Sequence, residues 1–185
     1  ADRFEVCNHK WTALTEENRG FAVLNDSKYG VNVAGSSINL TLLKSALAPD
    51  MYADKGLQEF TYAFYLWNVP FSESNVIREA YELNSPVISI KGCGGEESIF
   101  SLDNPGVVIE AVKPAEDGSE DIIVRMYESL RTHARCCLET KLQVLKASQT
   151  NMLEKEEAVL DVYEGKIPLE FRPFEIKTVR LSLKK

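Results

Sequence analysis

Alternation of apolar and polar residues with a period of two is the feature that most constrains how this chain folds. The stretch KTVRLSLK near the C-terminus puts Val179, Leu181 and Leu183 on one side and polar residues on the other. The stretches SINLTLL (37–43) and EFTYAFYLW (59–67) alternate in the same way. Because successive side chains of a strand point to opposite faces of its sheet, this pattern predicts half-buried β-strands.

Short β-rich runs separated by turn residues fill most of the remaining chain. Residues 107–129 hold two such runs around a loop with Pro114, Asp117 and Gly118, which predicts a hairpin. In 59–67, the pattern places Phe60, Tyr62, Phe64 and Leu66 on one side of the predicted strand. Further strands are predicted at 4–7, 20–25, 86–91, 98–102, 134–145, 158–163 and 166–172. Many short strands with recurring turns favour an all-β fold, an antiparallel β-sandwich.

One stretch departs from the period of two. SESNVIREAYELN (72–84) carries apolar residues at helical spacing, with Ser72 and Ser74 as candidate N-caps. It is interpreted as a short helix, with a linker as the alternative. The preceding segment contains Pro70 and is the best candidate for a boundary between two β units. We therefore predict a first domain at 1–70 and a second at 71–185.

Charge and hydropathy exclude two classes of partner. The net charge is −7 and no cluster of Lys and Arg occurs, whereas nucleic-acid binding requires a basic surface. No apolar run approaches the roughly 20 residues that span a bilayer, and no signal peptide is expected. We predict no nucleic acid and no membrane as partners.

The four cysteines, Cys7, Cys93, Cys136 and Cys137, show no spacing typical of zinc ligands or of a redox motif. They predict buried or half-buried reduced thiols in a cytoplasmic protein. The histidines, His9 and His133, lie in unrelated segments, so no metal site is predicted within this chain.

The residues alone identify no catalytic machinery. KGCGGEES (91–98) lacks the signature of a phosphate-binding loop and predicts a surface loop, and LEKEEAVLD (153–161) predicts a solvated edge. LKSALAPDMYADKG (43–56) is a long loop without periodicity, of a kind that is often functional. At the bend in GFAVLNDSKYGVNVAG (20–35), Asn25, Asp26, Lys28 and Tyr29 come together. Turn chemistry explains them, and so does a site that the bend faces.

Several motifs in series carry a family resemblance. Residues 9–64 include HKW, GFAVLNDSKYG, APDMYADKG and EFTYAF in one order. They closely resemble the β region that follows the catalytic domain in glycoside hydrolase family 38 α-mannosidases of the cytosolic-type branch. The segments 105–129 and 167–183 resemble the final C-terminal domain of the same enzymes.

The resemblance implies a retaining, metal-dependent hydrolysis of terminal α-linked mannose from oligosaccharides. In this family an Asp nucleophile and a zinc ion, or another divalent metal, belong to an N-terminal α/β barrel. None of those motifs matches a residue of this chain, so the chain resembles a C-terminal fragment: the end of a large β-sandwich followed by a smaller β domain. It is predicted to be inactive alone, and its cofactors are expected only in the full-length enzyme.

The resemblance also implies which residues and partners matter. A loop of the family's β region reaches the barrel and lines the substrate pocket, and NDSKYG is the candidate for it. The expected substrate-binding residues are Asp26, Lys28, Tyr29 and Asp54, against the alternative of an interdomain turn. The expected partners are the protein's own N-terminal catalytic barrel, mannose-containing oligosaccharides and, further, a second copy in a homo-oligomer. A free-standing carbohydrate-binding β-sandwich is the alternative function.

Overall fold

The computed structural model of the chain describes residues 4–92, 94–95 and 97–184. The chain divides into two compact units, Ala1–Lys91, the first unit, and Gly92–Lys185, the second unit. Every pair of neighbouring strands among the described residues is antiparallel, which confirms the all-β prediction. No helix in the described part of the chain is long and apolar enough to span a membrane.

The first unit contains two three-stranded sheets and a helix. One sheet has the order β1-β4-β5 and the other the order β2-β3-β6. A short 3-10 turn and the helix follow β6. The elements are β1 Val6–Cys7, β2 Trp11–Glu16, β3 Arg19–Asn25, β4 Gly30–Ala34, β5 Ser37–Leu40, β6 Tyr62–Trp67, the 3-10 turn Phe71–Glu73 and α1 Val76–Asn84.

The helix covers only one face of the β2-β3-β6 sheet. Val76 and Ala80 of α1 are fully buried against Ala22, Leu24 and Trp67. Gly20 of β3 leaves space for the ring of Trp67 on β6. A Cβ atom added to Gly20 would lie 2.0 Å from that ring. The helix thus packs on the face of β6 that carries Trp67, and on the opposite face Phe64 is exposed whereas Val23 of β3 is buried.

The second unit is a sandwich of a five-stranded and a three-stranded sheet. Their strand orders are β12-β11-β14-β9-β8 and β13-β10-β7. The strands are β7 Phe100–Leu102, β8 Val107–Pro114, β9 Ile122–Glu128, β10 Ala134–Thr140, β11 Val144–Thr150, β12 Glu156–Leu160, β13 Lys166–Phe171 and β14 Ile176–Leu183.

The period of two builds the core of the second unit. On the larger sheet Met126, Val179 and Leu181 are buried, and on the smaller sheet Leu138 and Phe171 are buried, all in one cluster. The intervening residues of these strands contribute the outer faces. The alternation predicted from KTVRLSLK and the hairpin predicted in 107–129 are both confirmed. The charge run is an edge strand, β12, with mostly exposed residues.

Two strand predictions are wrong in detail. The run 134–145 is not one strand, because β10 ends at Thr140 in the three-stranded sheet and β11 begins at Val144 in the five-stranded sheet. The segment 86–91 is not a strand at all, although its composition favours one. No partner strand lies beside it among the described residues.

The helix prediction is confirmed, but its capping is not. Ser72 lies inside the 3-10 turn, and the hydroxyl of Ser74 donates to the carbonyl of Phe71. Asn75 occupies the N-cap position without a side-chain capping bond. The helix α1 packs on the β2-β3-β6 sheet and so belongs to the first compact unit, which ends at residue 91. The assignment of domains to 1–70 and 71–185 stays a prediction.

The cysteines differ in exposure. Cys136 is buried and Cys137 is half-buried on the opposite face of β10, as predicted, whereas Cys7 is exposed, which corrects the prediction for that thiol. Burial raises the pKa of Cys136 to about 11, so its thiol stays protonated at neutral pH. Cys93 lies outside the described residues.

The buried carboxylate of Glu128 links two loop segments at one end of the second unit by hydrogen bonds. Glu128 is 0% exposed. Its Oε1 accepts hydrogen bonds from the backbone N–H groups of Leu130 and Thr132 and from the Thr132 hydroxyl, at 2.8–3.1 Å. Its Oε2 accepts a 2.9 Å bond from the N–H of Phe174. Burial opposes ionisation, but these donors outweigh it and hold the pKa of Glu128 below its usual range.

We predict that Glu128→Gln lowers the free energy of unfolding of the second unit by about 2 kcal/mol at pH 7, because one amide cannot accept all four bonds. Since the folded-state pKa is depressed, the carboxylate stabilises the fold above its unfolded-state pKa and ceases to do so as the pH falls through the folded value. The deficit of the variant should therefore shrink on acidification. Urea unfolding at pH 7 and at about pH 3.5 measures it.

The exposed Asp161→Asn is the matched control, because it removes one charge without removing buried hydrogen bonds. Equal stability of Glu128→Gln and the unmodified chain at pH 7 would contradict this account. So would a deficit that grows as the pH falls.

Candidate functional site

The bend, residues 26–29, joins β3 to β4 and is held by backbone contacts on both sides. The N–H of Asn25 donates to the carbonyl of Lys10 at 2.9 Å, and the N–H of Asn8 donates to the carbonyl of Tyr29 at 2.7 Å. Across the bend, the Oδ1 atom of Asn25 accepts a 2.8 Å bond from the N–H of Lys28. This is the turn chemistry that an Asn before a tight bend favours, and it fixes the backbone that carries Lys28.

Asp26 fastens the bend to the start of β6. Its Oδ2 accepts a 2.9 Å bond from the N–H of Thr61, and its own N–H donates to the Thr61 carbonyl at 3.2 Å. Its Oδ1 accepts the hydroxyl of Ser27 at 2.7 Å. The bond from Ser27, together with the N–H of Thr61, lowers the pKa of Asp26. Both carboxylate oxygens are thus engaged within the chain.

Lys28 and Asp54 lie near each other although 26 residues separate them in sequence. The Nζ atom of Lys28 is 4.5 Å from the centroid of the Phe60 ring, within the range of a cation–π contact. The N–H groups of Ser45 and Lys44 donate to Oδ2 of Asp54 at 2.8 and 3.1 Å. These bonds, and then the ammonium of Lys28, lower the pKa of Asp54. No hydrogen bond from the described part of the chain reaches Oδ1 of Asp54.

Tyr29 completes the bend with an aromatic ring. It is exposed, and its ring meets that of His9 edge-on, with 5.0 Å between the ring centroids. The Sγ atom of Cys7 lies 4.0 Å from Nε2 of His9. His9 therefore supports Tyr29 from one side and leaves the rest of that ring open to solvent.

This cluster suits binding of hydroxyl groups better than proton transfer. A general acid that works at neutral pH needs a raised carboxyl pKa, whereas the pKa values of Asp26 and Asp54 are lowered. An ammonium, an ionised carboxylate with an open oxygen and an aromatic ring are groups that contact sugar hydroxyls and sugar faces. Lys28, Asp54 and Tyr29 supply these three groups.

The described residues offer no fitting site for the metal that the resemblance implies. Within 4–92, 94–95 and 97–184, no group of three or more His, Cys, Asp and Glu side chains is placed to hold an ion. No step of the chemistry below is therefore derived through a metal bound to this chain.

The side of the β2-β3-β6 sheet opposite the helix forms a second surface, which we call the open sheet face. Tyr62, Phe64 and Leu66 are exposed there, the last two to 65% and 71%, and Phe21 lies beside Phe64 with 5.8 Å between ring centroids. A groove of about 460 Å³ runs along it next to the turn at Gly35. An apolar patch on a sheet whose other side is already packed marks a contact with another surface.

The four residues predicted from sequence thus fall into two groups. The charge of Lys28 lowers the pKa of Asp54, and Tyr29 lies at the same bend, while Asp26 is occupied in holding that bend. The sequence reasoning missed the support that Phe60 gives to Lys28 and that His9 gives to Tyr29. The period-two pattern places Phe60 on one side of a predicted strand, but it carries no information about contacts of Phe60 with the bend.

Family models match both units of the chain. Residues 106–179 match the glycosyl hydrolases family 38 C-terminal beta sandwich domain, and residues 1–52 match the glycosyl hydrolases family 38 C-terminal domain. Together these two matches cover more than half of the sequence.

Relatives and solved structures agree with this. Alpha-mannosidase 2C1 of Mus musculus and of Homo sapiens are 36% and 37% identical to the chain over 189 residues. Each comparison covers 98% of this chain and 18% of the relative. A crystal structure of a family 38 glycosyl hydrolase from Enterococcus faecalis has the same fold, with a TM-score of 0.73 and 20% identity, over 96% of this chain and 22% of that one.

An antiparallel β region of two units, the second of them a two-sheet sandwich, is the class of structure that the fold defines. The chain belongs to the C-terminal region of glycosyl hydrolase family 38 and is homologous to that region of α-mannosidases. It spans less than a fifth of the length of the curated relatives named above.

Proposed function

We propose that this chain is the non-catalytic C-terminal β region of an α-mannosidase that hydrolyses terminal α-linked mannose of oligosaccharides. In the full-length enzyme, the bend lines the substrate pocket, and Lys28, Asp54 and Tyr29 contact the sugar. Asp26, predicted from sequence to bind substrate as well, acts by holding the bend on β6 in this proposal.

The observation that carries the proposal is a lysine with a fixed backbone whose charge acts on a carboxylate with an open oxygen. The backbone of Lys28 is fixed by Asn25, and its ammonium lies over Phe60 and near Asp54. Side chains held in advance bind a sugar without first having to be ordered, which favours recognition. The homology to family 38 α-mannosidases supplies the substrate class.

The catalytic groups belong, in this proposal, to polypeptide outside the chain. A nucleophile and a zinc ion or another divalent metal are assigned to an N-terminal barrel, which is what the resemblance to the family implies. The open sheet face supports a scaffolding role, because packing against the rest of the enzyme covers apolar side chains such as Phe64 and Leu66. The cytoplasmic location and a homo-oligomer remain predictions.

We predict that Lys28→Ala in the full-length enzyme lowers kcat/KM for a mannoside by about 10- to 100-fold, because one charge-assisted hydrogen bond to the substrate is lost. Lys28→Arg should recover part of the activity, since it keeps the charge. Steady-state kinetics measures the loss, and the melting temperature should stay within about 2 °C of that of the unmodified enzyme because Lys28 is not a core residue.

Lys55→Ala is the matched control, because Lys55 also lies over an aromatic ring, that of Tyr52, at 4.2 Å from its centroid. This variant should keep the kcat/KM of the unmodified enzyme. Unchanged kcat/KM in Lys28→Ala would end the proposal for the bend, and so would equal losses in the two variants.

The open sheet face also favours a second candidate, a free-standing carbohydrate-binding module. Exposed aromatic rings such as Tyr62 and Phe64 stack on sugars when they form a flat platform. Here the planes of these two rings meet at 66°, which does not form a flat platform. The scaffolding role therefore explains this face better.

Calorimetric titration of the isolated chain with mannose oligosaccharides separates the two functions. The scaffold proposal predicts no binding up to about 10 mM sugar, because the pocket is incomplete without the barrel. Binding at lower concentrations that Phe64→Ala removes would instead assign a carbohydrate-binding module.

A further inference from the structure

The segment PVISIK, residues 86–91, is the most exposed apolar stretch of the first unit. Val87, Ile88 and Ile90 are 95%, 86% and 85% exposed. All three are β-branched residues, which are favoured in strands and unfavourable in water. A monomeric surface does not usually present such a run uncovered.

The backbone of this segment is also without partners in the described structure. The segment follows α1, which ends at Asn84. No backbone hydrogen bond joins 86–91 to another described residue. Yet the sequence has the pattern of a strand, because Ile88 and Ile90 share one side of an extended chain and Ser89 lies on the other. Pro86 is compatible with this, since proline is tolerated at the first position of a strand.

We propose that residues 86–91 form a β-strand that pairs with a sheet edge supplied by polypeptide outside this chain, within the same full-length protein. The partner is an edge strand with an apolar pocket for Ile88 and Ile90. Main-chain hydrogen bonds provide the affinity, and these alternate side chains provide the register. The inference rests on the proposed function only in that both assume a longer polypeptide.

Two observations favour this partner over a second copy of the chain. The curated relatives extend well beyond the compared part, since the chain covers 18% of their length, so the same polypeptide offers many further strands. A tethered segment meets an edge of its own polypeptide at a high effective concentration, whereas two copies must meet by diffusion. The net charge of −7 further disfavours the close approach of two copies.

Hydrogen exchange of the full-length protein tests the pairing. At least two of the five amides of residues 87–91 should exchange about 100-fold or more slowly than in an unstructured peptide of the same sequence. Exchange of all five at the unstructured rate would overturn the proposal. Protection that disappears on 100-fold dilution would assign a second copy as the partner, and would also overturn it.

A pair of variants tests the predicted face. Ile88→Asp should reduce the protection of the neighbouring amides by about 10-fold or more, because it places a charge in the proposed pocket. Ser89→Asp, on the opposite side of the extended chain, should leave the protection unchanged. Equal effects of the two substitutions would contradict the assignment.

Mannosidase activity of the same full-length samples keeps the two proposals separate. An active enzyme with an unprotected segment contradicts the strand pairing alone. A protected segment in a protein that does not hydrolyse mannosides contradicts the proposed function alone.

Discussion

An apolar face of a β-sheet must be covered, and the two units of the chain differ in how they meet this requirement. In the second unit two sheets cover each other, and their alternating residues, such as Leu138 and Leu181, fill one core. In the first unit α1 covers one face of the β2-β3-β6 sheet, and the other keeps Phe64 and Leu66 in solvent. The second unit is thus a complete sandwich, whereas the first keeps large apolar residues exposed on one face of the β2-β3-β6 sheet. Its family membership explains this difference, because the chain is a small share of its relatives.

The period of two predicted most of the fold because it follows directly from strand geometry. It did not reveal which face of β6 meets the helix. That choice depends on Gly20, whose missing side chain admits the ring of Trp67, and is a contact between strands rather than a property of either one. The composition of 86–91 also favours a strand, but no partner strand lies beside this segment among the described residues. The connection after Thr140, where the chain passes from one sheet to the other, carries no sequence signal because it contains no Gly, Pro or Asn.

The bend was predictable as a turn and only partly as a site. The side chains of Asn25 and Asp26 favour a tight bend, and in the structure both accept hydrogen bonds that fix the backbone around Lys28. The proximity of Lys28 to Asp54 arises from the folding of a long irregular loop onto the bend, which no periodicity encodes. Depressed carboxyl pKa values and an ammonium over an aromatic ring suit the recognition of hydroxyl groups that we propose for the bend. Proton transfer and nucleophilic attack need groups with other properties.

The central claim is that this chain supplies scaffold and pocket wall, while bond cleavage needs groups outside it. Its most direct test is an assay of the purified 185-residue chain with a nitrophenyl α-mannoside and divalent metal, beside the full-length enzyme. The account predicts hydrolysis by the full-length enzyme and none by the isolated chain. Hydrolysis by the isolated chain that a chelator abolishes would contradict it.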